Sequence, residues 1–301
     1  MSPSPQTLLA RLTAADPTLV VAAAEPGPGN WAGGPYAARD GDQIALAYRV
    51  RKPEGRGRGL ANIVAISSDG IDFTTVATIT SDSFGAASLE RPALVRRPDG
   101  GWRLYVSCST KNSKHWWVEA IDADTLADLE VGTRTVVLPG DDTVAWKDVI
   151  VDLAEDGTWR IWACRHPLDD GDDEADRMST WFGTSPDGLA WIMHGPALEP
   201  TPGSWDQRGA RVAAVLPHGG QVLALYDGRA SAQENFFERT GVAIGTPEHL
   251  EAVAGPVPTT YGQALRYACL LPTPAGLRAY YEVSTPDGSH ALVTALLSDP
   301  D

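Results

Sequence analysis

The chain has 301 residues and a formal net charge of -15, from 24 Lys+Arg against 39 Asp+Glu. That balance argues against a nucleic-acid binder, which needs concentrated positive charge. A hydrophobic fraction of 43% with 10 Trp, 8 Tyr and 5 Phe excludes a disordered acidic chain, and no stretch approaches the roughly 18–20 apolar residues of a membrane span.

Residues 5–11 read as a short helix capped by Ser4, followed by an apolar strand at 19–23. Residues 1–25 are therefore expected to be an N-terminal extension or a ring-closing strand. No basic region precedes the apolar run, so no signal peptide is read and a cytoplasmic location is expected. Cys108, Cys164 and Cys269 are far apart and lack both disulfide-framework and metal-site spacing, which predicts reduced, buried thiols on strands.

From residue 35 onward one pattern returns five times: a short apolar strand, a tight turn with Gly, then a strand ending in or near Tyr or Trp. Residues 35–48, 92–106, 148–162, 211–226 and 267–281 each carry it. The turn glycines Gly41, Gly100, Gly157, Gly220 and Gly276 are spaced by 59, 57, 63 and 56 residues. Glycine suits such hairpin turns because it takes positive φ without a Cβ penalty. A second turn, Ser-x-Asp-Gly followed by an aromatic, recurs at residues 67–73 and, with Pro inserted, at 184–191, where a third strand is expected to meet a fourth; residues 284–288 carry a shorter version. A unit near 59 residues holds four short strands, and five units use essentially the whole chain. The prediction is an all-β, five-bladed β-propeller with four-stranded antiparallel blades, as a single domain over residues 1–301. Either the strand near residue 20 or the apolar segment 291–297 is expected to close the ring.

On a propeller the inner strands gather around an axis, so residues just before each inner strand converge although distant in sequence. Those approaches are Gly33-Gly34-Pro35, Glu90-Arg91-Pro92, Lys147-Asp148, residues 208–211 and residues 263–266. Four of the five carry charge. Glu90 and Asp148 occupy equivalent places in neighbouring units, and two carboxylates across a pocket are the minimum equipment for acid–base or nucleophilic work on an acetal. Each could instead pair with a neighbour, Glu90 with Arg91 and Asp148 with Lys147 or Arg211. Arg91, Arg208, Arg211 and Arg266 would form a positive floor suited to carboxylates or sugar hydroxyls. Trp31, Trp146 and Trp205 precede three of the approaches and offer faces for sugar stacking or simply core. The polar connection 226–241 brings Asp227, Arg229, Glu234 and Glu238 toward the same rim as residues 51–60 and 165–176, and Glu238 is the best additional acid. Asp206 is a further candidate contact.

The acidic run 169–176 lacks the ligand spacing of a calcium loop, and the six histidines form no zinc pattern. Neither a phosphate-binding glycine loop nor a Gly-x-Ser-x-Gly elbow is present, which argues against nucleotide cofactors and serine-hydrolase chemistry. No metal and no cofactor are expected.

In this arrangement of strand, turn and acidic approach, over roughly residues 30–297, the chain resembles the five-bladed β-propeller glycoside hydrolases, a superfamily of arabinofuranosidases, xylosidases, levanases, invertases and mannoside phosphorylases. The resemblance places Glu90 and Asp148 where members carry acidic residues, and implies that Asp148 orients an acid and tunes its pKa. It also shows two departures. The first-blade aspartate that serves as general base in those enzymes would match Gly34, and the fourth acid would fall at residues 208–211, where there is no carboxylate.

The functional expectation is a glycosidase-like enzyme acting on a sugar or glycosylated small molecule in the central funnel. Glu90, Asp148 and Glu238 are its catalytic candidates. Trp31, Arg91, Trp146, Lys147, Asp206, Arg211, Asp227, Arg229 and Arg266 are its substrate-binding candidates. The alternative is a non-catalytic carbohydrate- or anion-binding propeller that kept the funnel and lost the base. A protein-interaction propeller would instead lack convergent charge in the funnel. The partner is expected to be a small molecule or oligosaccharide, with no nucleic acid or membrane, and the protein a monomer or weak homo-oligomer.

Overall fold

The glycine-bearing turns close hairpins in each unit, and the hairpins stack radially. The protein is described here by a computed structural model covering residues 3–169, 177–258 and 265–298. Helix α1 (Pro5–Ala14) starts at Ser4, whose hydroxyl accepts a hydrogen bond from the Thr7 N–H, and strand β1 (Thr18–Val21) follows. Both are shifted slightly from the sequence expectation: the helix runs three residues longer, and the strand begins and ends earlier.

Blade 1 comprises β2 (Trp31–Asp40), β3 (Gln43–Arg51), β4 (Gly59–Ser67) and β5 (Thr74–Thr80). In blade 2 the inner position is split into β6 (Ser88–Leu89) and β7 (Ala93–Arg96), both paired with β8 (Trp102–Ser109), which continues to β9 (Trp116–Ala123) and β10 (Thr133–Leu138). Pro92 falls in the gap; lacking an N–H, it cannot continue a ladder. Blade 3 is β11 (Val144–Leu153), β12 (Trp159–Pro167), β13 (Ser179–Ser185) and β14 (Ile192–Leu198). Blade 4 is β15 (Gly209–His218), β16 (Gln221–Arg229), β17 (Arg239–Thr246) and β18 (His249–Ala254). Blade 5 has β19 (Leu265–Thr273), β20 (Gly276–Ser284) and β21 (His290–Leu297) from the C-terminal part of the chain. Its fourth strand is β1, antiparallel to β21 with Leu19 opposite Val293. The two ends of the sequence thus close the ring together and leave no bare edge on β21. Leu8 and Leu12 of α1 bury into the core shared by blades 4 and 5.

The recurring aromatics fasten blades to one another. Tyr105 Oη in β8 donates to the Gly188 carbonyl in the β13–β14 turn of blade 3 at 2.8 Å. Trp162 Nε1 donates to Pro247 O in blade 4 at 2.9 Å, and Tyr280 Oη to Gly70 O in blade 1 at 2.9 Å. Two of those receiving turns are the Ser-Asp-Gly repeats. Asp69 Oδ1 accepts from the Ile71 and Asp72 N–H groups, and Asp187 Oδ1 from Leu189 and Ala190, so each turn is held by its own aspartate where the neighbouring blade docks. The third copy, residues 284–288, lies between the second and third strands of blade 5 instead. The three cysteines are free and buried on strands. No helix among the described residues is long and apolar enough to cross a membrane.

Candidate functional site

The inner strands of blades 1, 3 and 5 each carry one extra residue where they reach the funnel. Gly33 pairs with Arg49 but Tyr36 with Ala47; Lys147 pairs with Cys164 but Ile150 with Trp162; Arg266 pairs with Glu282 but Cys269 with Tyr280. The residue following the first pair has a left-handed backbone: φ is +60° at Gly34, +50° at Asp148 and +53° at Tyr267. Such a bulge turns a side chain away from the sheet surface. For a residue with a Cβ the left-handed backbone costs about 1–2 kcal/mol, offset here by the contacts that Asp148 and Tyr267 make.

Those contacts form a buried lattice of alternating charge. Arg211 donates to Asp148 Oδ2 at 3.2 Å, to Asp227 Oδ2 at 2.9 Å and to Tyr267 Oη at 3.1 Å, and lies 3.6 Å from Glu238 Oε1. Glu238 is also paired with Arg266, and with Arg229 at 3.3 Å. Arg266 Nε donates to Glu282 Oε1 at 2.8 Å, which also meets His290 Nδ1 at 2.6 Å; Arg49 reaches Glu282 Oε2 at 3.1 Å and pairs with Glu90. The Tyr267 ring sits among four guanidinium groups, Arg211 at 3.9 Å and Arg266, Arg49 and Arg91 at 5.1, 5.3 and 5.9 Å from its centroid. Ser107 ties two candidate acids together: its carbonyl accepts the Glu90 N–H at 2.9 Å and its hydroxyl accepts the Asp148 N–H at 2.8 Å. Glu90 and Asp148 are therefore neighbours on one face of the ring.

The electrostatics follow from burial opposed by pairing. Burial alone would raise Asp148, but Lys147, Arg211 and Arg49 hold its carboxyl below the usual range. Glu238 is likewise held low, by Arg266, Arg211 and Arg229 against its burial, and Glu282 is held lower still, by Arg266, Arg49 and His290. Asp227 goes the other way, because burial outweighs Arg211 and the Tyr267 N–H. Burial lowers Lys147, with Asp148 opposing.

Above the lattice opens a cavity of about 230 Å³. Of the sequence candidates, Glu90, Glu238, Trp31, Lys147, Arg211, Arg229 and Arg266 line it. The others stand elsewhere. Asp148 and Asp227 lie beneath Arg211, outside the lining. Arg91 donates to the Pro35 and Ala268 carbonyls, holding inner strands together. Trp146 packs against Trp181 in the core of blades 2 and 3. Asp206 accepts from Tyr226 Oη at 2.9 Å, and Trp205 stacks on that same tyrosine. Glu234 accepts from the Ala230 N–H at 2.9 Å. Trp31 lines the cavity, but with 3% exposure, His290 stacked on it and Arg51 at 3.9 Å, it has no open face for a sugar. Residues 170–176 of the acidic run, and Gln263 and Ala264 of the fifth approach, lie outside the described residues.

Several side chains of the lattice and the cavity are not among the sequence candidates. Glu282 and Arg49 lie near the C-terminal ends of second strands, opposite Arg266 and Gly33. The carboxylate of Glu282 packs directly against Gly33, where a Cβ would overlap it, so a second-strand acid of blade 5 fills space that blade 1 leaves open. The available signal was spacing: Arg49, Asp227 and Glu282 follow Gly33, Arg211 and Arg266 by sixteen positions each. Phe236 was also passed over; it lines the cavity with 38% exposure and supplies an accessible aromatic ring at the rim. Among the described residues no group of three or more His, Cys, Asp and Glu is placed to hold a metal ion.

No known sequence family matches the chain, and no curated protein sequence matches it. Solved structures do. A thermostable family-43 glycoside hydrolase superposes with a TM-score of 0.68 at 15% identity, covering 90% of both chains. An α-L-arabinofuranosidase from Lactobacillus brevis gives 0.65 at 14% identity, covering 88% of this chain and 90% of its own. A structure from work on the GH130 family of mannoside phosphorylases, which contains glycoside hydrolases that target β-1,2 mannosidic linkages in Candida mannan, gives 0.63 at 14% identity over 93% and 87%. The chain therefore has the fold of the five-bladed β-propeller glycoside hydrolases.

Proposed function

We propose that the funnel binds a saccharide, and that at neutral pH the protein acts as a carbohydrate-binding propeller without glycosidase turnover. The fold shared with carbohydrate-active enzymes and the polar, aromatic-rimmed cavity support a sugar ligand. The observation that carries the non-hydrolytic reading is the state of the two carboxylates lining the cavity. Glu90 is paired with Arg49, and Glu238 is surrounded by Arg211, Arg229 and Arg266 and held ionised. Cleaving a glycosidic bond needs a carboxyl that retains its proton for the leaving oxygen, beside a second carboxylate that acts as base or nucleophile. Asp227, whose pKa is raised, is outside the cavity lining, and Gly34 supplies no side chain.

A second reading is favoured by one observation: Glu90 of blade 2 and Glu238 of blade 4 border the same cavity. Glycoside cleavage would then use Glu238 as acid once a ligand has drawn its arginines away. A panel of aryl glycosides, assayed from acidic to neutral pH with Glu90→Gln and Glu238→Gln alongside, separates the two. No turnover above buffer is expected. Turnover that falls by about 10²–10⁴ in either variant would overturn the binding-only reading.

A further inference from the structure

We infer that the saccharide carries a negatively charged substituent, a carboxylate or a phosphate or sulfate ester, and that Arg51, Arg58 and Lys147 receive it. This deepens the saccharide reading above and rests on it.

Among the described residues, eight basic side chains line the cavity against two carboxylates. Four of the eight (Arg49, Arg211, Arg229 and Arg266) are neutralised within the lattice by Glu90, Asp148, Asp227, Glu238 and Glu282. Arg51 and Arg58 are not: among the described residues neither makes an ion pair, and the Nε atoms of both are buried without a hydrogen-bond partner. Arg51 is only 6% exposed, an extreme place for an unpaired charge. Burial and the nearby Arg49, Arg58 and Arg266 lower its pKa to about 9. Among the described residues Lys147 has one weak partner, Asp148 at 3.8 Å, which is already shared with Arg211.

The three cations belong to one patch. Arg51 feels the charge of Arg58, and so does Lys147. Aromatic rings hold them in place: Arg51 lies 3.9 Å from the Trp31 centroid and 5.0 Å from Phe236, while Arg58 and Lys147 lie 5.9 and 4.9 Å from Trp116. A ring under a cation orients it without satisfying its N–H donors. Donors of like charge, assembled around a cavity without a counter-ion among the described residues, are arranged for an anion supplied by the ligand. Guanidinium and ammonium donors serve a carboxylate or a phosphate equally, so the shared chemistry is an oxyanion on a sugar.

The test is binding calorimetry at low salt with matched saccharides: glucose, glucuronate and glucose 6-phosphate; galactose and galacturonate; mannose and mannose 6-phosphate; with inorganic phosphate and sulfate as separate arms. An anionic member of at least one set is expected to bind at least about tenfold tighter than its neutral counterpart, an advantage that shrinks as salt is added. Whether the carboxylate or the phosphate ester gains more names the source of the charge. Arg51→Gln is expected to abolish the anionic advantage and to keep or raise the melting temperature of the ligand-free protein, since it removes an uncompensated buried charge. A merely structural arginine would lower that temperature. If neutral and anionic sugars bind alike, the inference fails while the saccharide reading stands. If no saccharide binds, that reading fails, and the inorganic arms decide the inference: salt-sensitive phosphate or sulfate binding lost in Arg51→Gln upholds the oxyanion site, and its absence overturns it.

Discussion

Replacing Arg211 by Met removes the side chain on which the lattice converges. Its guanidinium reaches Asp148, Asp227 and Tyr267 within 3.2 Å and Glu238 at 3.6 Å, all of them buried. Removing one partner of a buried pair costs about 3–5 kcal/mol, because the remaining charge stays uncompensated. Three carboxylates lose their shared cation at once; they also keep other partners, so the losses do not add. A deficit of about 3–5 kcal/mol at pH 7 is a large share of the 5–15 kcal/mol typical of folded proteins, and lowers the melting temperature by about 6–20 °C at roughly 2–4 °C per kcal/mol. The deficit must also depend on pH. Without Arg211 the folded-state pKa values of Asp148, Asp227 and Glu238 rise relative to wild type, so the variant loses stability relative to wild type as pH climbs through the raised values. Thermal melts of wild type and Arg211→Met at pH 5 and pH 8 should therefore show the larger gap at pH 8. Arg96→Met is the control: Arg96 is 47% exposed and pairs with Asp40 at 2.7 Å on the surface, so its loss should cost under about 1 kcal/mol. An Arg211→Met deficit no larger than that of Arg96→Met, or one that grows toward acid, would refute the keystone role.

Two further outcomes follow from the same packing. Gly33→Ala places a methyl against the Glu282 carboxylate, which Arg266, Arg49 and His290 hold still, and is expected to cost about 1–3 kcal/mol from overpacking on top of the lost pairing geometry. Gly34→Ala meets nothing nearer than Arg91 at 3.5 Å and is left with the left-handed backbone penalty of about 1–2 kcal/mol; chemical denaturation should rank Gly33→Ala as the worse of the two. In wild type, the contributions of Asp148, Glu238 and Glu282 are present above the ordinary values of 3.8 and 4.5 and are lost as pH falls through their lower folded values. His290, lowered from 6.5 chiefly by burial, likewise withdraws stability as acid protonates it, whereas Asp227, raised, contributes in acid and loses that contribution as pH rises. With three lowered carboxylates and one lowered histidine in the described part of the buried lattice against a single raised aspartate there, the melting temperature should begin to fall below about pH 6.5 and drop steeply below about pH 4.5. A flat profile over that range would contradict the charge assignment.

The ring was legible because its marks are local. A hairpin turn needs glycine where φ is positive, so Gly41, Gly100, Gly157, Gly220 and Gly276 mark the first hairpin of every blade. The charged approaches were legible for the same reason: Glu90, Lys147 and Arg211 stand directly before apolar runs. What the sequence hid depends on pairing across the ring. Arg49 and Glu282 meet across 233 positions, and nothing local marks either as part of a pair. The left-handed backbone at Asp148 and Tyr267 carries no glycine to announce it. The role of the tryptophans was hidden too, since composition does not say which ring faces are covered: Trp31 is packed by Arg51 and His290, while Phe236 stands open. The funnel was legible from the repeat, which sets each approach at the start of an inner strand.

Calorimetric titration with a panel of oligosaccharides, followed by mass spectrometry of the recovered ligand, bears most directly on a funnel that binds sugar and does not cut it. Saturable heat with wild type, heat weakened by Phe236→Ala at the rim, and a ligand recovered intact are the expected results. No saturable binding by any saccharide, or a ligand recovered in pieces, would contradict it.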